Sequence, residues 1–257
     1  MPDRAEIYYE DSVSGGPAVV FSHGIMMDHE MFAPQVNALR DTYRCITWDQ
    51  RGHGDTASGG AFSYWDSARD LLALLDLTGV DRAFLVGMSQ GGFVGMRAAL
   101  LAPERILGLV FIDSQAGPED PDKVPMYEAF ATSWVEGGPN VSIAETVAGI
   151  ILGEGPDHGP WMEKWMARDP ALVAEPYRAL VEREDLHHRL GEILAPALVI
   201  HGDQDVAIDL SKASALCEGL PGCEGVRVIE GAGHAANLAR PDEVNALLRD
   251  FLDRRSA

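Results

Sequence analysis

Basic residues are in short supply in this sequence. Twenty Lys and Arg stand against 40 Asp and Glu, leaving a formal net charge of −20 and a pI of about 4.6. Such a surface repels phosphate backbones and anionic lipid, so neither nucleic acid nor a membrane is an expected partner; the expectation of a small-molecule substrate rests on the motifs of the chain and not on its charge. Long apolar runs are also missing, and no stretch reaches the ~18 residues of a membrane-spanning helix. The segment Met1 to Ile7 has no apolar core of a secretory signal, so a cytoplasmic location is expected. Cysteine is sparse: Cys45, Cys217 and Cys223 make an odd count, which without a leader argues against a disulfide framework. Cys217 and Cys223 are close enough in sequence to approach each other, but free thiols are expected. No His and Cys cluster has zinc-like spacing, and His187-His188 reads as a solvated pair, so no metal is expected.

What the sequence does have is core material. Apolar residues make up 46% of 257 and charged residues 23%, in keeping with one sizeable domain. Short, nearly continuous apolar runs at 18–22, 43–48, 83–86, 107–112, 197–200 and 226–229 alternate with helical segments, among them 62–77, 91–101 and the last, from Pro241 to about Asp253. Continuous runs mark strands buried on both faces, so a mostly parallel sheet with helices on both sides is expected. Residues 6–10 are a candidate antiparallel strand at the start. Between Gly117 and Gly191 the rhythm breaks into helical pieces at 124–134, 142–152, 160–167 and 170–184, separated by Gly- and Pro-rich turns. The expected organisation is a core of 1–116 with 192–257, and a helical cap of 117–191 inserted over the sheet's carboxyl edge.

One motif carries chemistry. Gly87-Met88-Ser89-Gln90-Gly91 lies between the strand ending at Val86 and a helical run, where a G-x-S-x-G sequence forms a sharp turn that lifts the serine above the sheet edge. A serine hydroxyl needs a base, and the base needs an orienting acid. His234, in the glycine-flanked loop after 226–229, is the expected base. Asp205, in the loop after 197–200, is the expected acid; Asp113, at the end of 107–112, and Asp203 are its rivals. The backbone N–H groups of Ile25 and Gln90 are the expected oxyanion donors. His23 reads as a structural residue bonding its own loop.

With these motifs, together with Asp49-Gln50-Arg51-Gly52-His53-Gly54, the chain resembles the α/β-hydrolase superfamily over its whole length. Within it the likeness is to small serine esterases and lactonases, such as 3-oxoadipate enol-lactonase-like and non-heme chloroperoxidase-like enzymes. The resemblance implies an eight-stranded, mostly parallel sheet with a cap after the sixth strand, no metal, and no cofactor. It implies hydrolysis of an ester or lactone through an acyl-enzyme. Two alternatives stand beside that reading: carbon–carbon bond hydrolysis of a vinylogous diketone, and a low-turnover binding protein on the same fold. Met26, Met27, Phe32, Trp134, Trp161 and Trp165 are candidates to line an apolar substrate pocket. The sequence is compatible with a homodimer and does not name the substrate.

Overall fold

The computed structural model describes residues 6–154 and 156–256. The first residues of the segment read for a leader and Gly155 of a cap turn lie outside the described residues. Seven strands form one sheet: β1 (Tyr9–Asp11), β2 (Ala18–Ser22), β3 (Arg44–Trp48), β4 (Ala83–Met88), β5 (Ile106–Ile112), β6 (Ala197–Gly202) and β7 (Cys223–Ile229). Their order is β1-β3-β2-β4-β5-β6-β7. Only β1 runs antiparallel, against β3. The count among the described residues is seven strands where eight were expected, and the helical insertion follows the fifth of them.

The continuous apolar runs behave as expected of strands covered on both faces: every residue of β2, β4 and β6 is buried. At the sheet edge, β7 has helical cover on less of its surface, and Val228 stands half exposed. The helices are α1 (Ala33–Leu39), α2 (Tyr64–Leu77), α3 (Gln90–Leu101), α4 (Val124–Gly137), α5 (Val141–Ile151), α6 (Gly159–Ala167), α7 (Ala174–Val181), α8 (Leu210–Gly219), α9 (Ala236–Ala239) and α10 (Pro241–Ser256). Helix α2 starts two residues later than its apolar period suggests. The Ser63 N–H donates to Asp66 Oδ2 at 2.9 Å, and this reciprocal cap fixes the first turn after Ser63. Pro103 stops α3, as it must, because it has no N–H to continue the ladder.

The strand order places a crevice where the site is needed. From β2 the chain steps outward to β3, then returns to lay β4 on the other side of β2. At such a reversal the loops leaving neighbouring carboxyl ends diverge and open a crevice. The register keeps those ends level: Ser22 pairs with Gly87, Met88 with Ile112, Ile112 with Ile200, and Gly202 with Ile229. The loops carrying Ile25, Ser89, Asp113, Asp205 and His234 therefore all emerge at one edge.

One expectation is overturned. Cys217 and Cys223 form a disulfide, with Cα atoms 5.4 Å apart. The end of α8 turns directly into β7 through Leu220-Pro221-Gly222, with the Leu220 N–H donating to the Cys217 carbonyl and the Cys223 N–H to the Leu220 carbonyl. That tight turn brings the two Cα atoms into bonding range. Counting cysteines and seeking a leader does not register such a turn. Cys45 stays a buried free thiol. Thiol titration in denaturant without reductant should therefore find one group, rising to three after reduction. Replacing both Cys217 and Cys223 by Ser should lower unfolding stability by about 2 kcal/mol, the chain-entropy value for so short a loop. Three thiols before reduction would contradict the pairing.

Candidate active site

Ser89 sits between β4 and α3 with φ 50° and ψ −115°, a left-handed backbone that L-residues avoid. Two glycines make this turn feasible. A Cβ at Gly91 would lie 1.9 Å from the Ser22 carbonyl oxygen, and one at Gly87 would lie 2.3 Å from the Gly91 carbonyl carbon. Sterics thus explain both glycines of the motif: α3 leaves the turn so steeply that its first residues press on β2. Met26 and Asp113 are also left-handed, at φ 64° and 48°. Each follows the carboxyl end of a strand, β2 or β5. Such residues cost about 1–3 kcal/mol each and persist only where packing over-determines them.

The three expected side chains meet. Ser89 Oγ lies 3.0 Å from His234 Nε2, and His234 Nδ1 lies 2.8 Å from Asp205 Oδ2. The other oxygen of Asp205 accepts the N–H groups of Ala207 at 2.8 Å and Ile208 at 3.0 Å, which fixes the carboxylate plane. Burial pushes the His234 imidazole down, but the Asp205 charge and hydrogen bond outweigh it, and the net shift is upward. Burial likewise pushes the Asp205 carboxyl up, and His234 turns the balance downward. The pair is thus arranged to hold a proton on His234 Nδ1 and leave Nε2 to face the serine.

The rival acids have other work. Asp113 is fully buried; its two oxygens accept the Gly202 N–H at 2.8 Å and the Ala236 N–H at 2.9 Å. It therefore braces the acid loop and the base loop from below. Burial, then the Asp205 charge, pushes its carboxyl up. Asp203 accepts the Gly231 N–H at 2.7 Å, tying the same two loops on the outside. His23 fulfils its structural reading: Nδ1 donates to the Gly24 carbonyl at 2.7 Å and Nε2 accepts the Gln50 N–H at 3.0 Å. Burial lowers its basicity, as that neutral tautomer requires. The N–H groups of Ile25 and Gln90 have no backbone hydrogen bond outside regular elements among the described residues. Gln90 opens α3, where N–H groups point outward with the positive end of the helix dipole.

Asp113, His201 and Asp205 bring one ligand atom each within 4.8 Å of the others, close enough for a metal ion. All of their possible ligand atoms but His201 Nδ1, which has no hydrogen-bond partner among the described residues, are already engaged. Both Asp113 oxygens and both Asp205 oxygens accept hydrogen bonds, and His201 Nε2 donates to the Ile208 carbonyl at 2.9 Å. The cluster fits a hydrogen-bonded scaffold better than a cation site.

Ser89 and His234 open into a cavity of about 370 Å³, in the size range of ligand pockets. Its walls come from the helices between β5 and β6, chiefly Met126, Tyr127, Phe130, Ile143, Ile151 and Tyr177. This corrects the expected pocket. Met26, Met27, Phe32, Trp134, Trp161 and Trp165 are absent from its lining. All but Trp161 are buried in the packing of the fold, and Trp161 stacks with the Lys164 ammonium 4.7 Å from its ring centroid. Trp165 serves as a tie, donating its indole N–H to the Met26 carbonyl at 2.7 Å. Two charged groups at the cavity were not anticipated, Glu119 and Arg183, which pair at 2.9 Å. Every member of the run Glu182-Arg183-Glu184-Asp185 is charged, and nothing in it signals that one of them turns inward.

The family model for the alpha/beta hydrolase fold matches residues 17–148. A putative carbamate hydrolase RutD of Azorhizobium caulinodans is 27% identical, across 96% of this chain and 95% of its own. The 3-oxoadipate enol-lactonase 1 of Acinetobacter baylyi is 25% identical, across 92% and 88%. A thermophilic esterase from Thermogutta terrifontis, solved with malate bound, superposes with a TM-score of 0.88 at 27% identity, covering 98% of this chain and 95% of that one.

If His234 is the base that takes the serine proton, it must be neutral to act, and kcat/KM should fall on the acid side through the His234 pKa. That pKa is raised by Asp205, so the limb should lie above the ordinary histidine value of ~6.5. Asp205→Asn should move the limb down and cut kcat by about 10³–10⁴-fold. A limb below the ordinary value in the parent enzyme, or an Asp205→Asn variant of near-normal activity, would contradict the assignment.

Proposed function

The chain belongs to the α/β hydrolase fold family, and from that premise we propose that it is a serine hydrolase cleaving a carboxylic ester or lactone through an acyl-enzyme. The observation that carries this reading is the continuous hydrogen-bonded line from Ser89 Oγ to His234 to Asp205, at 3.0 and 2.8 Å. Ser89 attacks the substrate carbonyl as His234 Nε2 takes its proton. Asp205 holds the ring in the required tautomer and stabilises the imidazolium. The N–H groups of Ile25 and Gln90 receive the oxyanion, and His234 then protonates the departing alkoxide. Water, deprotonated by the same ring, releases the acid and restores Ser89.

The helices between β5 and β6 act as a cap that shapes the substrate pocket. They are tied to the loops below them by Trp165 on Met26 and by Lys164, whose ammonium donates to Asp28 at 2.7 Å and Glu30 at 2.8 Å. The likeness to an enol-lactonase and to an esterase supports the ester or lactone bond. The likeness to a carbamate hydrolase supports a second reading, attack on a carbamate carbonyl by the same residues. The lining favours the first: Met126, Phe130, Ile143 and Ile151 reward an apolar substituent, and a small polar carbamate would leave them in contact with water.

Hydrolysis of a medium-chain p-nitrophenyl ester by the parent protein, and its loss by about 10⁴-fold or more in a Ser89→Ala variant with unchanged circular dichroism, is the expected result. Turnover that survives in that variant would remove the serine from the mechanism. Faster turnover of a small carbamate than of any ester would move the second reading to the front.

A further inference from the structure

The cavity above Ser89 is lined largely by apolar side chains, and Arg183 with Glu119 brings an ion pair to it. The Arg183 side chain is only 2% exposed. Its Nε donates to the Gly117 carbonyl at 3.0 Å, and Nη1 donates to Glu119 Oε2 at 2.9 Å and to the Leu180 carbonyl at 2.7 Å. The guanidinium carbon lies 4.6 Å from the centroid of the Phe93 ring. Phe93 stands one helical turn beyond Ser89 on α3. The Nη2 group, though buried, has no hydrogen-bond partner among the described residues. Arg183, Phe93, Glu119 and Ser89 all line the same cavity.

A buried, charged donor with no acceptor is costly, and native structures rarely tolerate one without a reason. The bonds from Nε and Nη1 explain a structural role, since they tie the two ends of the cap at Gly117 and Leu180. They leave Nη2 unexplained. We propose that Arg183 is a specificity-determining residue whose Nη2 receives a neutral hydrogen-bond acceptor, such as a keto or amide carbonyl, carried by the substrate a short chain away from the scissile bond. The inference rests on the serine-hydrolase reading and adds the substrate class to it. Charge decides between a neutral acceptor and a carboxylate. Glu119 already neutralises Arg183, so a second carboxylate would place net negative charge in a buried space whose catalytic base is backed by Asp205, in a chain of net charge −20. A neutral carbonyl satisfies Nη2 at no such cost. A plain alkyl chain fills the cavity and leaves the donor unsatisfied.

The test is a matched set of esters in which a keto group replaces one methylene and is walked along the acyl chain, with a second set altered in the alcohol part and a third ending in a carboxylate. The parent enzyme should prefer one keto ester over its methylene counterpart by about 10- to 100-fold in kcat/KM, the range expected of one bond to a charged donor. That ratio should fall close to unity in Arg183→Lys, which keeps the charge beside Glu119, and in the Arg183→Met/Glu119→Gln double variant, which removes the pair without stranding a buried carboxylate. A purely structural role would slow both esters together and leave the ratio standing. No preferred keto position in the parent, a preference that survives in both variants, or a preference for the carboxylate esters would each overturn the inference. Labelling of Ser89 by a fluorophosphonate separates the two levels. An adduct without keto preference overturns the Arg183 assignment alone, and no adduct together with no hydrolysis overturns the serine-hydrolase reading and this inference with it.

Discussion

The contact between Gly91 and the Ser22 carbonyl is the constraint on which the site depends. It lets α3 leave β4 at an angle steep enough to press on β2, and so forces Ser89 into its left-handed backbone. The serine hydroxyl then stands above the sheet edge, and the first N–H groups of α3 face the crevice beside β2. Any Cβ at position 91 must separate β2 from α3, and the turn between β4 and α3 opens with it. The strain at Ser89 is held in place by buried strands on either side, β2 and β5.

The same edge assembles the rest by bracing loops rather than by direct packing of catalytic groups. Asp113 is central to this. One oxygen fixes Gly202, at the end of β6, and the other fixes Ala236, two residues past His234. Gly202 itself lies so close to the base loop that a Cβ there would meet the Ala232 carbonyl oxygen at 2.3 Å. The acid and the base thus arrive on loops held against one another, and their 2.8 Å hydrogen bond follows from that bracing. Function and fold are linked here through backbone N–H groups that would otherwise be buried without partners.

The sheet and the meeting of Ser89, His234 and Asp205 were legible in the sequence because each left a local mark. Two-sided burial writes itself as an unbroken apolar run, as at Val19-Val20-Phe21. The turn at Ser89 writes itself as paired glycines, because nothing larger fits. The cavity walls left no such mark. Phe130 and Trp134 lie one turn apart on α4, with rings 5.4 Å apart, yet Phe130 lines the cavity and Trp134 packs away from it. The two share a face of α4 and differ in their position along it, so which one meets the cavity depends on where α4 lies over the site, and periodicity alone does not contain that placement. Arg183 was hidden for a related reason. Its neighbours Glu182, Glu184 and Asp185 are charged as well, while the Glu119 that draws it inward is 64 residues away. The disulfide depended on how tightly α8 turns into β7, a property of three dimensions that a count of cysteines does not capture.

The central claim is that Ser89 is an activated nucleophile facing a formed oxyanion site. Intact-mass analysis after exposure to a fluorophosphonate tests it without knowledge of the substrate. The account predicts a single adduct, mapped to the peptide containing Ser89 and missing from Ser89→Ala. A well-folded parent protein that takes no adduct, or takes it at another residue, would contradict the account.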